Sequence, residues 1–250
     1  MEEANIKMNN ILITGNKGLI ATELFKYIKA DGFDKNKLIP NKKYDYIIHT
    51  ASNCVIREII KNPKLTMENI LLTYKIMEKA RQDKSKIILF SSGRVEHDEN
   101  PYTAGKKFLE NIAKAYNNCY KVESIIIRPE TVWAKNEKNK RVINTWIENV
   151  VKGIPCIVYG DENKELSPIH VKEFGNIFME IFNNFEYYYK QQTPIKITGQ
   201  SRKVKDLIGI IGKYYGKIPI IKYKSPELTQ PQKTKGGLGL IPFEEQIKYD

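Results

Sequence analysis

Three side chains in this sequence have the types and spacing for proton transfer: Tyr102 and Lys106, four residues apart, and Ser92, ten residues before the tyrosine. A free phenol has a pKa of about 10 and is a poor acid–base group at neutral pH. A neighbouring ammonium favours the phenolate and brings that value toward the working range. A serine hydroxyl at the same place can donate to a carbonyl oxygen as charge develops on it. With 15 Tyr and 41 Lys+Arg in 250 residues, roughly two Tyr-x-x-x-Lys matches are expected by chance. Only Tyr102 has lysine at the fourth position.

The elements that must position these groups are legible around them. Asn100 is a good N-cap and Pro101 fits the first helical position, so a helix starts just before Tyr102. Residues four apart share a helix face, which lets Tyr102 and Lys106 meet in one pocket. Gly105 inside that helix costs about 1 kcal/mol relative to alanine and points to a close approach to the backbone. "KIILFSS" at 86–92 reads as a strand with Ser92 at its carboxyl end and Ser91 as the alternative hydroxyl. Ligands of parallel α/β sheets sit at such ends. Further apolar runs at 11–14, 44–52 and 122–133 alternate with helical patterns, which predicts a doubly wound α/β fold with a parallel sheet covered on both faces.

After the first strand, "TGNKGLIA" places Gly15 and Gly18 between strand and helix, where missing side chains and free N–H groups suit a diphosphate. The usual companion is an acidic residue at the end of the second strand. The only strand predicted in "DGFDKNKLIPNKKYDY" is Lys37 to Ile39. No acid follows it and lysines surround it, so NADP(H) is expected over NAD(H). Beyond residue 135 the pattern loosens into shorter helices and strands, ending in a tail rich in Pro, Lys and Gly that reads as a small cap.

The net charge of +12 comes from lysines spread end to end rather than from an arginine-rich patch, so a nucleic-acid partner is not expected. Cys54, Cys119 and Cys156 stand far apart, with neither metal-ligand nor disulfide spacing. No metal is expected, and a reducing cytoplasm is. No apolar run reaches about 18 residues, so no membrane span is predicted. His97 lies in the loop before Tyr102 and reads as an exposed loop residue; His49 and His170 read as packing and hydrogen-bonding residues, and Trp133 and Trp146 as core.

Taken in order, the segments resemble the extended short-chain dehydrogenase/reductase family, the NAD(P)-dependent epimerases, dehydratases and reductases of nucleotide sugars. "TGNKGLIA" is similar to its TGxxGxxG, "IIHTAS" to its HxAA strand end, "FSSGRV" to SSxxVY and "PYTAGK" to PYxxSK. "RPETVWA" resembles RPxxVYG, and "YGDENKELSPIHVKEFG" the GDGxxxRDFIHVDD segment. The resemblance implies a Rossmann-like NAD(P)-binding core over 1–135, abbreviated after the first helix. Residues 136–250 would complete that core and form a small substrate-binding cap. It implies a hydride exchanged with a sugar carbon, with Tyr102 as acid/base, Lys106 holding the ribose and Ser92 bonding the carbonyl. Thr14, Gly15, Lys17, Gly18, Leu19, Ile20, Ala51, Ser52, Asn69, Pro129 and Val132 would join Tyr102 and Lys106 around the cofactor. It further implies a homodimer packed through the two long helices.

Departures from the family pattern narrow the chemistry. Gly93 and Arg94 stand where dehydratases carry an Asp-Glu pair, which disfavours dehydration. Arg94 and Arg141 stand where the GDP-fucose synthase branch has Cys and His. The arginine that grips the nucleotide phosphates aligns with Leu166, leaving Lys164 or Arg202 to substitute, with Ser92 and Thr131 also on the substrate side. The expected function is NAD(P)H-dependent reduction of a 4-keto nucleotide-diphosphate sugar in polysaccharide or glycoconjugate biosynthesis. The alternatives are a 4-epimerase with tightly held NAD, and a non-catalytic or nucleic-acid-binding relative on the same scaffold.

Overall fold

The computed structural model describes residues 10–34, 38–96, 99–135, 137, 141–225 and 238–249. The chain runs β1 (Ile11–Thr14), α1 (Leu19–Leu24), β2 (Asp31–Phe33), β3 (Tyr46–His49), α2 (Ile56–Lys61), α3 (Lys64–Asp83), β4 (Lys86–Phe90), α4 (Pro101–Tyr120), β5 (Ser124–Pro129) and β6 (Thr131–Trp133). It continues through α5 (Val142–Lys152), β7 (Cys156–Tyr159), β8 (Glu165–Leu166), β9 (Pro168–His170), α6 (Val171–Asn183) and α7 (Phe185–Lys190). The last elements are β10 (Ile195–Ile197), β11 (Arg202–Lys203), α8 (Val204–Tyr215), β12 (Ile221–Lys224) and α9 (Phe243–Gln246).

Six strands form one parallel sheet in the order β10-β5-β4-β3-β1-β2. Side chains alternate across a strand, and here both sets are apolar because both faces are covered. Ile11, Ile13, Ile48, Ile88, Phe90, Ile125 and Ile127 pack on one face with Leu24 of α1 and Phe174 and Phe178 of α6. Leu12, Ile47, Ile87, Leu89 and Ile126 pack on the other with Met77 and Ala80 of α3 and Leu109 and Ala113 of α4. This is the doubly wound arrangement that the near-continuous apolar strands predict. A third cluster joins Trp133, Ile143, Trp146, Val158, Leu207, Ile211 and Phe243 in the C-terminal part. No helix among the described residues is long and apolar enough to cross a membrane.

Two sequence expectations change. The second strand is Asp31–Phe33, pairing with Leu12 to Thr14, and not Lys37 to Ile39. Of that stretch, Lys37 lies outside the described residues, and Leu38 and Ile39 are irregular. The run 122–133 is two strands: β5 belongs to the main sheet, while β6 pairs with β9 in a separate ladder, with Glu130 at the break. The helix cap is as expected. Thr103 N–H donates to Asn100 Oδ1 (3.1 Å) and Asn100 N–H donates to Thr103 Oγ1 (3.1 Å), a reciprocal box. The close approach at Gly105 is α3, since a Cβ there would lie 3.1 Å from Thr66 Cγ2.

Phe178 is fully buried and stacks on Phe90 with ring centroids 5.8 Å apart. Phe178→Ala is expected to lower the unfolding free energy by about 3–5 kcal/mol. Urea denaturation checks this: a lower midpoint at unchanged slope is the expected result, and an unchanged midpoint would show that the helix does not depend on this contact.

Candidate active site

The carboxyl ends of β1, β2 and β3 converge on Gly15. Its φ of +72° suits glycine, and a Cβ there would lie 2.8 Å from Ala51 Cα and 2.9 Å from Ala51 N. Gly15 N–H donates to Phe33 O (2.8 Å), fastening the turn to the end of β2. Thr14 Oγ1 accepts from Ala51 N–H (3.2 Å) and bonds His49 Nδ1 (2.8 Å), while His49 Nε2 bonds Thr73 Oγ1 (3.3 Å). Burial, with Lys106 nearby, lowers the His49 pKa to about 3, so this imidazole is a neutral strut. Asp34 follows β2 directly, and its carboxylate meets Lys17 Nζ at 3.0 Å. The acid that the sequence reading placed nowhere is therefore present. Its signal was obscured because β2 has three residues and one buried apolar side chain, Phe33.

These residues fit a dinucleotide. Gly15 leaves no side chain over the turn, and the amides of Leu19 and Ile20 open the first turn of α1, where no intrahelical acceptor exists. Asn16 Oδ1 is buried without a hydrogen bond. Asn69 clamps the loop after β3: it accepts from Asn53 N–H (2.8 Å) and donates to Asn53 O (2.9 Å). Ala51 and Ser52 lead into that loop.

At the end of β4 the two serines divide. Ser91 Oγ donates to buried Glu110 (2.5 Å), which also receives Arg128 through Nε (2.8 Å) and a terminal nitrogen (2.6 Å). Ser92 is left to bond the Tyr102 hydroxyl. Lys106 Nζ donates to Phe90 O (2.7 Å) and stands 5.9 Å from the Tyr102 ring centroid. Burial pushes the Tyr102 pKa up to about 12, and Cys54 adds to the rise. The Ser92 bond, Arg94 and Arg141 pull the other way. Arg94 and Arg141 are thus cations that favour the phenolate in addition to the Lys106 that the sequence singles out. Burial lowers the Lys106 pKa to about 8, against the raising influence of Cys54 and Glu110.

Beside this group lies a cavity of about 370 Å³ walled by Arg57, Arg141, Trp146, Tyr159, Lys164 and Leu166 among others. Arg141 belongs to both places: it walls the cavity and bears on the Tyr102 hydroxyl. Lys164 Nζ donates to Tyr159 O (2.5 Å), and the Arg57 guanidinium stands 5.9 Å from the Tyr159 ring centroid. Trp146 serves both core and cavity wall, whereas Trp133 is core. Arg202 is on β11, paired with Glu244 at 3.1 Å, and does not wall the cavity. Arg57 was missed by the sequence reading because it lies on a helix of six residues with no motif. Pro129 ends β5, Thr131 and Val132 begin β6, and the Val132 carbonyl accepts from Arg141 (2.7 Å). His97 lies outside the described residues. His170 caps α6, accepting from Lys172 N–H (3.2 Å).

A parallel sheet with a glycine turn at its switch point, and a buried Tyr-Ser-Lys group at its carboxyl edge, defines a Rossmann-like fold of the short-chain dehydrogenase/reductase kind. Residues 30–191 match the NAD dependent epimerase/dehydratase family, and the chain belongs to it. It is similar to a dTDP-D-glucose 4,6-dehydratase of Dictyostelium discoideum, 22% identical over 65% of this chain and 45% of that one. The chain spans less than half the length of this and two further curated relatives. Its fold matches the UDP-glucuronic acid 4-epimerase from Bacillus cereus, solved with UDP-glucuronic acid and NAD (TM-score 0.83, 15% identity, 96% of each chain). It also matches a GDP-6-OMe-4-keto-L-xylo-heptose reductase from C. jejuni (TM-score 0.80, 13% identity, 96% of each chain).

Glu137 has a nearly inaccessible side chain beside Arg141 (3.3 Å). Burial raises its pKa to about 7, against the lowering influence of Arg141. A carboxyl whose folded pKa lies above its unfolded one contributes stability below the unfolded value and loses it as pH rises through the folded one. Thermal melts from pH 4.5 to 7 are expected to show a stability loss that Glu137→Gln flattens; parallel curves for the two proteins would remove this assignment.

Proposed function

We propose that this protein reduces the carbonyl of a 4-keto nucleotide-diphosphate sugar, using NAD(H), in polysaccharide or glycoconjugate assembly. The observation that carries this reading is Arg141, which joins the cationic cavity to the Tyr102–Ser92 pair. In this reading Arg57, Arg141 and Lys164 meet the diphosphate, and Trp146, Tyr159 and Leu166 give the nucleoside an apolar wall. The sugar carbonyl oxygen accepts from Ser92 and Tyr102. Tyr102 gives that oxygen its proton, and Arg94 and Arg141 favour the phenolate left behind. Lys106, anchored on Phe90 O, presents its remaining donors to the cofactor ribose. The bound nicotinamide supplies the hydride.

The expectation of NADP(H) depended on a strand at 37–39. With Asp34 at the end of β2, the carboxylate suits two ribose hydroxyls and repels a 2′-phosphate. This same feature favours the second reading, a 4-epimerase that keeps NAD bound and returns the hydride to the other face. Subunits pair through α3 and α4: Met67, Leu71 and Tyr74 recur at one-turn spacing on α3 and are about half exposed (53%, 54% and 48%).

Nicotinamide fluorescence titration is expected to show NADH binding at least about tenfold tighter than NADPH, with Asp34→Ala narrowing the gap. Tighter NADPH binding would return the preference to the phosphate. Tyr102→Phe is expected to lower turnover by at least about 100-fold while NADH still binds; undiminished turnover would sink the catalytic assignment. Light scattering is expected to give twice the 29.0 kDa chain mass, and one chain mass for the Met67→Lys, Leu71→Lys double variant. A monomeric parent protein would refute the paired state.

A further inference from the structure

Two turns of the same build stand side by side in the C-terminal part. α5 ends at Gly153 (φ +67°) and α8 at Gly216 (φ +61°), both in the left-handed conformation that closes a helix. The chain then leaves each helix through isoleucine and proline, as "KGIP" at 152–155 and "GKIP" at 216–219. β7 and β12 follow these turns and pair in parallel, with Ile221 opposite Cys156. Cys156 N–H also donates to Ile220 O (2.7 Å), so the turns lie one strand spacing apart, about 4.8 Å. Both turns are pinned. Ile154 N–H donates to Asn149 O and Lys217 N–H to Gly212 O (2.9 Å each). A Cβ on Gly212 would stand 2.7 Å from Lys217 O and from Pro219 Cδ, so the second turn is packed down on its own helix.

What these turns present to solvent is apolar. Ile218 is 93% exposed, and Val151, Ile154 and Ile220 are each about half exposed. Around them stand Lys152, Lys213, Lys217, Lys222 and Lys224, all exposed. Glu148 reaches Lys152 at 3.9 Å, but no acidic residue occurs from 149 to 160 or from 207 to 226. We propose that these paired turns dock the protein on an anionic lipid bilayer. A bilayer takes projecting apolar tips into its interfacial region while its phosphates meet the surrounding lysines. Nucleic acid fits less well, because isoleucine offers no plane for base stacking and the patch has no arginine. Docked in this way the protein lies on the membrane without spanning it. The cavity is walled by the last three residues of β7, Ile157 to Tyr159, and the turns precede its first, so neither Ile218 nor Ile220 belongs to the cavity. Docking of this kind is independent of the reaction proposed above and sets where the protein works.

Sedimentation of the full chain with vesicles of equal parts phosphatidylglycerol and phosphatidylcholine tests this, with pure phosphatidylcholine vesicles alongside. The expected result is pelleting with the anionic vesicles and at least about tenfold weaker partitioning onto the neutral ones. A chain of net charge +12 is drawn to any anionic surface, so the deciding variants keep that charge or remove it at chosen places. Ile218→Ser with Ile220→Ser leaves the charge unchanged and is expected to weaken partitioning at least about tenfold. Lys217→Ala with Lys222→Ala is expected to do the same. Lys29→Ala with Lys43→Ala, an equal loss of charge beside β2, is expected to cost less than about threefold. No pelleting, or an isoleucine variant that partitions like the parent, overturns the docking. Equal losses in the two lysine pairs overturn it as well, since net charge alone would then account for the attraction. A lower mass for the isoleucine variant than for the parent in light scattering also overturns it, by showing that the turns join copies of this chain.

Discussion

The site depends on how closely the ends of three strands can approach one another. β1 has β2 on one side and β3 on the other, and the turn leaving it must pass against Ala51. Glycine at position 15 is what makes that passage possible; any side chain would meet the Ala51 backbone. Once the approach is made, short polar bonds keep it. Phe33 O holds the turn, Thr50 Oγ1 donates to Thr14 O (2.7 Å), and His49 ties Thr14 to Thr73 on α3. Asp34, the glycine turn and the Ala51–Asn53 loop are brought to one edge by this packing and by no local signal of their own.

The chemical group is set on a dry and stiff base. Lys106 and Tyr102 are both buried, at 7% and 9% exposure, so loss of water is the largest influence on their protonation and neighbouring groups modulate it. Beneath them Arg128 grips two carboxylates at once: Glu110 on α4, and Glu96 (2.7 Å), which also receives Lys196 (2.5 Å). Glu110 holds Ser91 and Glu96 closes the turn after Gly93, so the segment from Ser91 to Glu96 is fastened at both ends by one arginine. A buried pair of this sort is weak evidence for stability, since desolvation offsets much of the attraction. Its effect visible here is to tie both ends of the segment that contains Ser92 to Arg128.

The helix that carries Tyr102 and Lys106 was legible in the sequence because its determinants are local. Asn100, Pro101 and Thr103 set the start, and a spacing of four does the rest. The parallel sheet was legible because strands covered on both faces carry apolar residues at every position. What escaped depends on partners far away in the chain. β2 is a strand because β1 accepts it, so Asp31–Phe33 has no pattern to find. Arg57 reaches the cavity from a helix of one and a half turns. Glu130 was hidden inside an apolar run, and its carboxylate fills the space beside Gly93, a meeting of residues that no periodicity relates. The nearness of Arg94 and Arg141 to Tyr102 was likewise not found, since helical spacing relates only Lys106 to the tyrosine.

The order in which the sheet is assembled differs from the order in which it is written. β5 lies inside the sheet, yet the strand that covers its outer edge, β10, follows some 65 residues later by number, after β7, β8 and β9 have been laid down. During synthesis the growing chain therefore presents the hydrogen-bonding edge of β5, with Ile125, Ile126 and Ile127 beside it, until the C-terminal part has largely emerged. Such an edge is a template for pairing with another chain. The topology therefore lengthens the interval in which a partly made chain can pair wrongly at this edge.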